Sequence, residues 1–250
     1  MTEAVWFACT APRSMLKYLT GKVSDRKLRL FACACSRQVW DEMTDAGSRT
    51  ALTLSERFAD EEASAEELTE AHSVAAGIVR PLERHWGPAT RQAGAARTAE
   101  AAARPHALTA RGTRAKRARP GMQVAEEASN AAKWTRLWTQ RRTSDPERLA
   151  EQFAVIAADQ AALLRDLIGN PFRPVFIPPA YLGKEVLALA QAAYEERTLP
   201  SGELELERLA VLSDAVEEAG CDDASLLDHL RSPGPHVRGC WVVDLILGLT

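Results

Sequence analysis

Apolar side chains recur along the chain at three- and four-residue steps, the spacing of one face of an α-helix. No stretch shows sustained alternation of apolar and polar positions, and β-branched residues are sparse. The pattern therefore predicts an all-α fold, an irregular multi-helix bundle. Its stripes include Leu28, Phe31, Ala32, Cys35 and Val39; Leu68, His72, Ala75, Val79 and Leu82; and Leu149, Phe153, Ile156, Leu163, Leu164 and Leu167.

Start and stop signals accompany these stripes. Ser24 and Asp145 precede two of them as N-cap residues, and Pro146 follows Asp145 at the first helical position. Ser64 and Glu67 have the spacing of a capping box, in which each side chain binds the other residue's amide. Gly169 is expected to end the helix that begins after Asp145.

Two segments interrupt the helical pattern. Residues 87–120 contain Gly, Pro, Ala and Arg, with Leu108 as their only large aliphatic residue, so we interpret them as a linker or a solvated alanine-rich helix. Residues 169–183 contain four prolines and predict an extended connection whose apolar side chains lie against the core. We therefore predict helical regions at 1–86 and 121–250, which pack either separately or as one domain.

Composition limits the class of protein. Of the 250 residues 46% are hydrophobic and 26% charged, and the formal net charge is −3, values typical of a globular protein with no general affinity for polyanions. No apolar run approaches the ~20 residues that span a bilayer, so we expect no membrane partner. No secretory leader is visible. The odd number of cysteines, five, disfavours a disulfide framework and favours the cytoplasm.

The C-terminal stretch concentrates residues that can bind a metal. Cys221, His229, His236 and Cys240 have the spacing C-x7-H-x6-H-x3-C, and two cysteines with two histidines are a ligand set for zinc. The spacing is not that of a known zinc finger, since it has no C-x2-C pair. The alternative is that the cysteines are small core residues and the histidines lie at helix ends. Zinc is accordingly an alternative, and we expect no cofactor.

Thiol chemistry has less support. If the last helix began at Pro235, His236 would lie one turn from Cys240, where it could activate the thiol as a nucleophile, but the following sequence WVVDLILG is typical of buried core. Cys33 and Cys35 lie two residues apart and point roughly 200° from one another on a helix, so they cannot share a metal. The chain contains no GxxxxGK[ST], GxGxxG, HExxH or GxSxG motif. We therefore assign no catalytic residue.

A basic cluster lies within the low-complexity middle segment. Its cations, together with Arg104, can neutralise phosphates, although no aromatic residue is interleaved to stack on bases. We interpret the segment as a solvated linker, with nucleic-acid association as the alternative. The candidate phosphate contacts are Arg111, Arg114, Lys116, Arg117 and Arg119.

The two ends of the chain resemble a family of uncharacterised bacterial proteins. The resemblance rests on the opening segment with SDRKLRLFACAC, and on NPFRPV and PGPHVRGCWVVDLILG in the second half; it leaves out residues 87–120. It implies a cytoplasmic helical protein and no activity. Where the family commonly has a cysteine pair, this chain has Cys35 followed by Ser36, which disfavours zinc at that end.

Polar residues between prolines and glycines remain candidates for contacts. Arg173, His236 and Arg238 lie in NPFRPV and PGPHVRG, where restricted neighbours hold a side chain at low entropy cost. Such residues suit a structural hydrogen bond or a recognition contact. For the whole chain we predict a non-enzymatic helical module that binds a protein partner, with a structural zinc protein and a nucleic-acid-associated protein as alternatives.

Overall fold

The structure is a computed structural model that describes residues 1–86, 90–105, 120–139 and 145–249. Within these ranges the chain forms twelve α-helices and one two-stranded hairpin, which confirms the all-α prediction. The helices are α1 (Glu3–Ala8), α2 (Pro12–Leu19), α3 (Asp25–Arg37), α4 (Ala46–Ala59), α5 (Ala65–Trp86), α6 (Arg91–Ala102), α7 (Pro120–Thr139), α8 (Pro146–Ile168), α9 (Lys184–Glu195), α10 (Leu206–Glu218), α11 (Ala224–Arg231) and α12 (Trp241–Leu247); the hairpin is β1 (Arg197–Thr198) with β2 (Glu203–Leu204).

None of the described helices combines the length and the apolar character that a membrane span requires.

The predicted caps are present. Ser24 accepts a hydrogen bond from the Lys27 amide, and Ser64 and Glu67 bind each other's amides at 2.7 and 3.1 Å. Gly169 follows α8 with φ +67°, a left-handed conformation that terminates the helix.

The chain divides into two compact units. Residues 9–161 form one unit, and residues 1–8 together with 162–250 form the other. The division falls inside α8, after Ala161.

Helix α3 is the centre of the unit formed by residues 9–161. It packs against α4, α6 and α7, and every residue from Leu28 to Arg37 is buried. Burial on all sides requires partners for its polar groups. Arg29 donates to the carbonyls of Ala102 and Arg104 at 2.8 and 3.1 Å, and Arg37 binds Glu56 with two hydrogen bonds of 2.5 and 2.7 Å.

Helix α6 corrects our interpretation of residues 87–120. A linker or solvated helix is wrong for Arg91–Ala102, because its alanines are buried among α3, α4, α5 and α7. The physical reason is close approach: a Cβ added at Gly94 would lie 2.3 Å from Thr135 Oγ1 of α7. Small residues here let helices pack closely, so a segment poor in large apolar residues still belongs to a core.

The second unit has a core of its own in its C-terminal part. Helix α9 packs against α10 and α12, and α10 against α11, around an apolar cluster that includes Val186, Leu212, Leu226 and Val243. Trp6 of α1 is fully buried and donates from Nε1 to the Gly169 carbonyl at 3.0 Å.

The proline-rich connection at 169–183 follows the prediction in part. It joins α8 to α9 with only a short 3₁₀ turn at Pro179–Tyr181, and Ile177 is 4% exposed in the core. We expected Phe176 to lie on the core as well, but its ring is 77% exposed. Successive residues of an extended segment point to opposite sides, so Phe176 faces away when Ile177 faces inward.

The hairpin was not predicted. β1 and β2 pair antiparallel over two residues each, and the Leu204 amide also donates to the His236 carbonyl at 2.9 Å. Strands this short leave no alternation in the sequence. The hairpin matters for the site because it fixes the backbone at His236.

Candidate metal centre

Four side chains that can ligate a metal converge in the unit that contains the C-terminus. They are Asp166 of α8, His229 in the last turn of α11, His236 in the α11–α12 connection, and Cys240, the N-cap residue of α12. One potential ligand atom of each lies within 4.8 Å of the others. All but His229 are at least 98% buried.

The separations resemble those of ligands around one ion. His229 Nε2 lies 3.2 Å from both Asp166 Oδ1 and Cys240 Sγ, and His236 Nδ1 lies 3.0 Å from Asp166 Oδ1. Zinc bonds of about 2.0–2.3 Å place tetrahedral ligands about 3.3–3.8 Å apart. A small movement of these side chains is therefore enough to surround an ion.

The surrounding backbone orients two of the four groups. Asp166 Oδ2 accepts from the Val237 amide at 2.9 Å, which directs Oδ1 toward the histidines. His236 Nε2 lies 3.1 Å from the Ser232 carbonyl, and the Ser232 hydroxyl donates to the His229 carbonyl at 2.8 Å. Such outer hydrogen bonds are typical of residues that hold a metal.

Both ring nitrogens of His236 have polar neighbours. Nε2 lies 3.1 Å from the Ser232 carbonyl and 3.2 Å from the Ser232 hydroxyl, and Nδ1 lies 3.0 Å from Asp166 Oδ1. With its proton on Nε2, the ring donates to the Ser232 carbonyl and presents the Nδ1 lone pair to an ion. With its proton on Nδ1, the ring donates to Asp166 and accepts from the Ser232 hydroxyl.

Asp166 and His236 favour each other's charged forms. Burial alone raises the pKa of Asp166, but the hydrogen bonds from His229 and His236 outweigh it and lower that pKa. Burial alone lowers the pKa of His236, but the hydrogen bond and charge of Asp166 outweigh it and raise that pKa.

Cys240 is a poor nucleophile in this setting. Burial, followed by the charge of Asp166, raises the pKa of its thiol well above the usual value, whereas nucleophilic attack requires a thiolate. The helix starting at Pro235 was also wrong: α12 begins at Trp241, so His236 and Cys240 do not share a helix face. A metal ion is the agent that can deprotonate a thiol buried here.

The structure brings together three of the four predicted ligands. Cys221 lies apart from them, among the apolar side chains of the C-terminal core. Asp166 takes part in its place, and sequence reasoning missed it. One signal was present: Asp166 is a carboxylate between Leu163 and Leu167 on the apolar face of α8.

The other predicted contacts are dispersed. Arg173 is 78% exposed and binds the Glu3 carboxylate at 3.0 Å, and Arg238 lies 5.0 Å from the centroid of the Tyr194 ring. Arg104 pairs with Glu100 and Glu127. The remaining cations of the basic cluster, Arg111, Arg114, Lys116, Arg117 and Arg119, lie outside the described residues.

Cys33 and Cys35 are both buried in α3. Burial, followed by the charge of Glu56, raises the pKa of Cys33 to about 12, and burial raises that of Cys35 further. Neither thiol is reactive at neutral pH.

A cavity of about 780 Å³ adjoins the cluster of Asp166, His229, His236 and Cys240. Asp166 and His229 form part of its wall, whereas His236 and Cys240 do not. The rest of the wall comes from α1, from Ala162, Arg165 and Ile168 of α8, from the proline-rich connection, and from residues 223–241. It is wide enough for a small organic molecule.

A second cavity, of about 940 Å³, lies in the unit formed by residues 9–161. Trp134 and Trp138 form part of its wall, and Trp134 is 54% exposed with its ring packed edge-on to Phe153. Its charged residues include three arginines and three glutamates, and the pairs Arg97–Glu83 and Arg104–Glu100 balance one another. It holds no convergent set of metal ligands among the described residues.

The sequence and the structure were compared with known proteins. No protein-family model, no curated protein and no solved structure matches this chain.

Proposed function

We propose that this protein binds one zinc ion through Asp166, His229, His236 and Cys240, and that the ion holds α8 to the C-terminal helices. The observation that carries the proposal is the convergence of four ligand atoms, from one carboxylate, two imidazoles and one thiol, within 4.8 Å of one another. In the tautomer with its proton on Nε2, His236 donates to the Ser232 carbonyl and directs the Nδ1 lone pair toward the other ligands.

The donor set selects the metal. Thiolate and imidazole ligands favour zinc over magnesium and calcium, which prefer oxygen, and four protein ligands are typical of a structural site. The charges also balance: one carboxylate and one thiolate neutralise a divalent ion. Zinc would supply the positive charge beside Asp166, and the Cys240 thiol would release its proton to solvent on binding.

The test is the metal content of untagged protein purified without chelator, combined with melting curves with and without chelator. We expect about one zinc per chain and a lower melting temperature after chelation. Cys240→Ser should lose the zinc. Cys221→Ser, a change at another buried cysteine of the same unit, should retain it.

Three results would contradict this proposal. The first is an absence of zinc even after the ion is added in excess. The second is an equal effect of the two serine variants on zinc content. The third is a melting temperature that does not respond to zinc or chelator.

Binding of a protein partner stays our second proposal, and Trp134 supports it. Trp134 of α7 is 54% exposed although its ring packs edge-on against Phe153 of α8, so this pair of helices leaves a large apolar side chain in water. Trp134→Ser should abolish a complex seen by sedimentation of native lysate, and Val74→Ser, another exposed apolar residue, should not. Recovery of only free monomer with the wild-type chain would contradict it.

A further inference from the structure

We infer that the 940 Å³ cavity in the unit formed by residues 9–161 binds a neutral purine base of the adenine type, stacked on Trp134 and Trp138 and hydrogen-bonded to Asn130. The inference goes beyond both proposed functions and does not depend on the zinc site. The ligand class is a free base or nucleoside, because the volume of the cavity lies within the roughly 300–1,000 Å³ that small-molecule sites occupy.

One face of α7 forms the aromatic wall of the cavity. Asn130, Trp134 and Trp138 follow one another at intervals of four residues, so they lie along the same side of the helix, each about 6 Å further along its axis. Trp134 packs edge-on to Phe153 with ring centroids 5.0 Å apart, and this contact restricts the orientation of its indole. A planar heteroaromatic ring in the cavity can therefore stack on indoles that α7 already holds in place.

The other helices leave space beside these indoles. The residues that α5 and α6 contribute to the wall include Ala76, Gly94 and Ala101, whose side chains are small. Trp134 faces the cavity and is still 54% exposed, and Trp138 is half-buried. A flat ligand would cover apolar surface that the fold itself leaves in water.

The charged groups of the wall favour a neutral ligand. Arg104 binds Glu100 at 3.0 Å and also pairs with Glu127, and Arg97 pairs with Glu83. Among the described residues the formal charges of the wall cancel, since it has three arginines and three glutamates: Arg80, Arg97, Arg104, Glu83, Glu100 and Glu127. A ligand with a charge of its own would have to compete with these ion pairs.

Asn130 provides the hydrogen-bonding group that selects the base. Its side chain is exposed, lines the cavity and forms no hydrogen bond with any residue in the described ranges. A primary carboxamide carries an acceptor oxygen beside a donor NH₂ group. This pair matches N7 and the N6 amino group of adenine, which asparagine can bind with two hydrogen bonds. A base with an oxygen at position 6 presents two acceptors there and can form only one of them.

The experiment is isothermal titration calorimetry of the full chain with adenosine and with inosine, nucleosides that differ at position 6 of the base. We expect adenosine to bind about tenfold more tightly than inosine, because only adenosine can form both hydrogen bonds with Asn130. AMP, which adds a phosphate to adenosine, should bind no more tightly than adenosine, since the wall has no excess of positive charge.

Variants separate stacking from hydrogen bonding. Asn130→Ala, at an exposed helical position that favours alanine, should weaken adenosine about tenfold and leave inosine unchanged. Trp134→Leu should weaken both nucleosides about tenfold or more, because each base has a face that stacks. Val155→Ser, at a residue 58% exposed on α8 and outside the cavity wall, should change neither.

Four results would overturn the inference or one of its parts. An absence of binding for both nucleosides overturns the ligand site, and so does adenosine binding that Trp134→Leu leaves unchanged. Equal affinity of the wild type for adenosine and inosine overturns the role of Asn130. Tighter binding of AMP than of adenosine overturns the preference for a neutral ligand. None of these results depends on the zinc content, which is measured separately.

Discussion

Asp166 is the residue on which the candidate metal centre depends most. Its two oxygens accept hydrogen bonds from His229, His236 and the Val237 amide, and the residue is 2% exposed. It lies 63 residues before His229 in the chain, so it connects α8 to α11 through side chains alone. Any change at this carboxylate acts on both histidines together.

Replacing Asp166 by asparagine tests that dependence. In metal-free protein at pH 6, Asp166→Asn removes the buried carboxylate that His229, His236 and the Val237 amide contact, so we expect a loss of about 3 kcal/mol in the free energy of unfolding. Urea unfolding in the presence of chelator measures it. Asp214→Asn, at an aspartate whose side chain is 71% exposed and which pairs with Arg231, should cost no more than about 0.5 kcal/mol. Equal losses of unfolding free energy in the two variants would show that the buried Asp166 carboxylate stabilises the fold no more than an exposed one does.

Glu100 of α6 is a second carboxylate whose charge we expect to stabilise the fold. Burial alone raises its pKa, but His72 at 2.7 Å and Arg104 at 3.0 Å outweigh burial and lower it. A carboxyl whose pKa is lower in the folded state stabilises the fold above its unfolded pKa of about 4.3, and that stabilisation is lost as pH falls through the folded pKa.

Glu100→Gln should therefore cost about 1–3 kcal/mol at pH 7 and progressively less below pH 4. Urea unfolding of both proteins across this pH range gives the comparison. Glu70→Gln, at an exposed glutamate of α5, serves as the control and should change stability at neither pH. A cost that does not depend on pH would contradict the role of the Glu100 charge.

At the scale of elements, the closeness of α6 and α7 has a measurable cost when it is disturbed. Gly94→Ala places a Cβ 2.3 Å from Thr135 Oγ1, so we expect a loss of about 1–3 kcal/mol even though alanine favours helices. Gly77→Ala in α5 meets no atom within 4 Å and should stabilise the protein by up to about 1 kcal/mol. In thermal unfolding, the change in melting temperature should therefore have opposite signs in the two variants. A Gly94→Ala variant more stable than the wild type would contradict the close packing of α6 against α7.

Gly169 after α8 and Gly183 before α9 offer a second pair of glycine-to-alanine substitutions. Gly169 has φ +67° and a Cβ there would lie 2.9 Å from the Trp241 ring, so Gly169→Ala should cost at least about 1–2 kcal/mol. Gly183→Ala, with open space around it, should cost only a few tenths. Chemical denaturation separates the two, and equal effects would be inconsistent with the packing of Gly169 on Trp241.

Local signals in the sequence identified local structure well. Ser24, Ser64 with Glu67, and Gly169 each act within a few residues of themselves, so their roles follow from spacing alone. The burial of α6 could not be predicted in this way, because its alanines become core residues only through the helices that surround it. Composition of a single segment does not report how closely its neighbours approach.

The candidate site was predictable to the same limited extent. His229, His236 and Cys240 are near one another in sequence and belong to the cluster, whereas Cys221, which the sequence groups with them, contributes no ligand atom to it. Asp166 joins them only through tertiary packing. Proximity in the chain suggests ligands, and only the fold selects among them.

For the whole molecule, an ion at this site would link residues across much of the second unit. Asp166 and Cys240 lie 74 positions apart, so zinc would close a long loop of the unfolded chain. At a free zinc concentration 100 times the dissociation constant, binding adds about 2.7 kcal/mol to stability.

Hydrogen exchange can locate that stabilisation. After chelation we expect the most protected amides of α11 and α12 to exchange up to about a hundredfold faster, because their opening releases the ion. The Cys240→Ser variant should exchange at the faster rate with or without chelator. Unchanged exchange in the wild-type chain after chelation would contradict a metal link between these elements.

The discontinuous unit has a consequence for biosynthesis. Trp6 is fully buried against the Gly169 carbonyl, and the unit to which it belongs resumes only at residue 162. During translation, residues 9–161 leave the ribosome as a complete folding unit, whereas α1 must wait for partners that have not yet been made. The nascent chain therefore exposes the Trp6 side chain until the residues around Gly169 have been made, which makes α1 a candidate binding site for a chaperone during synthesis.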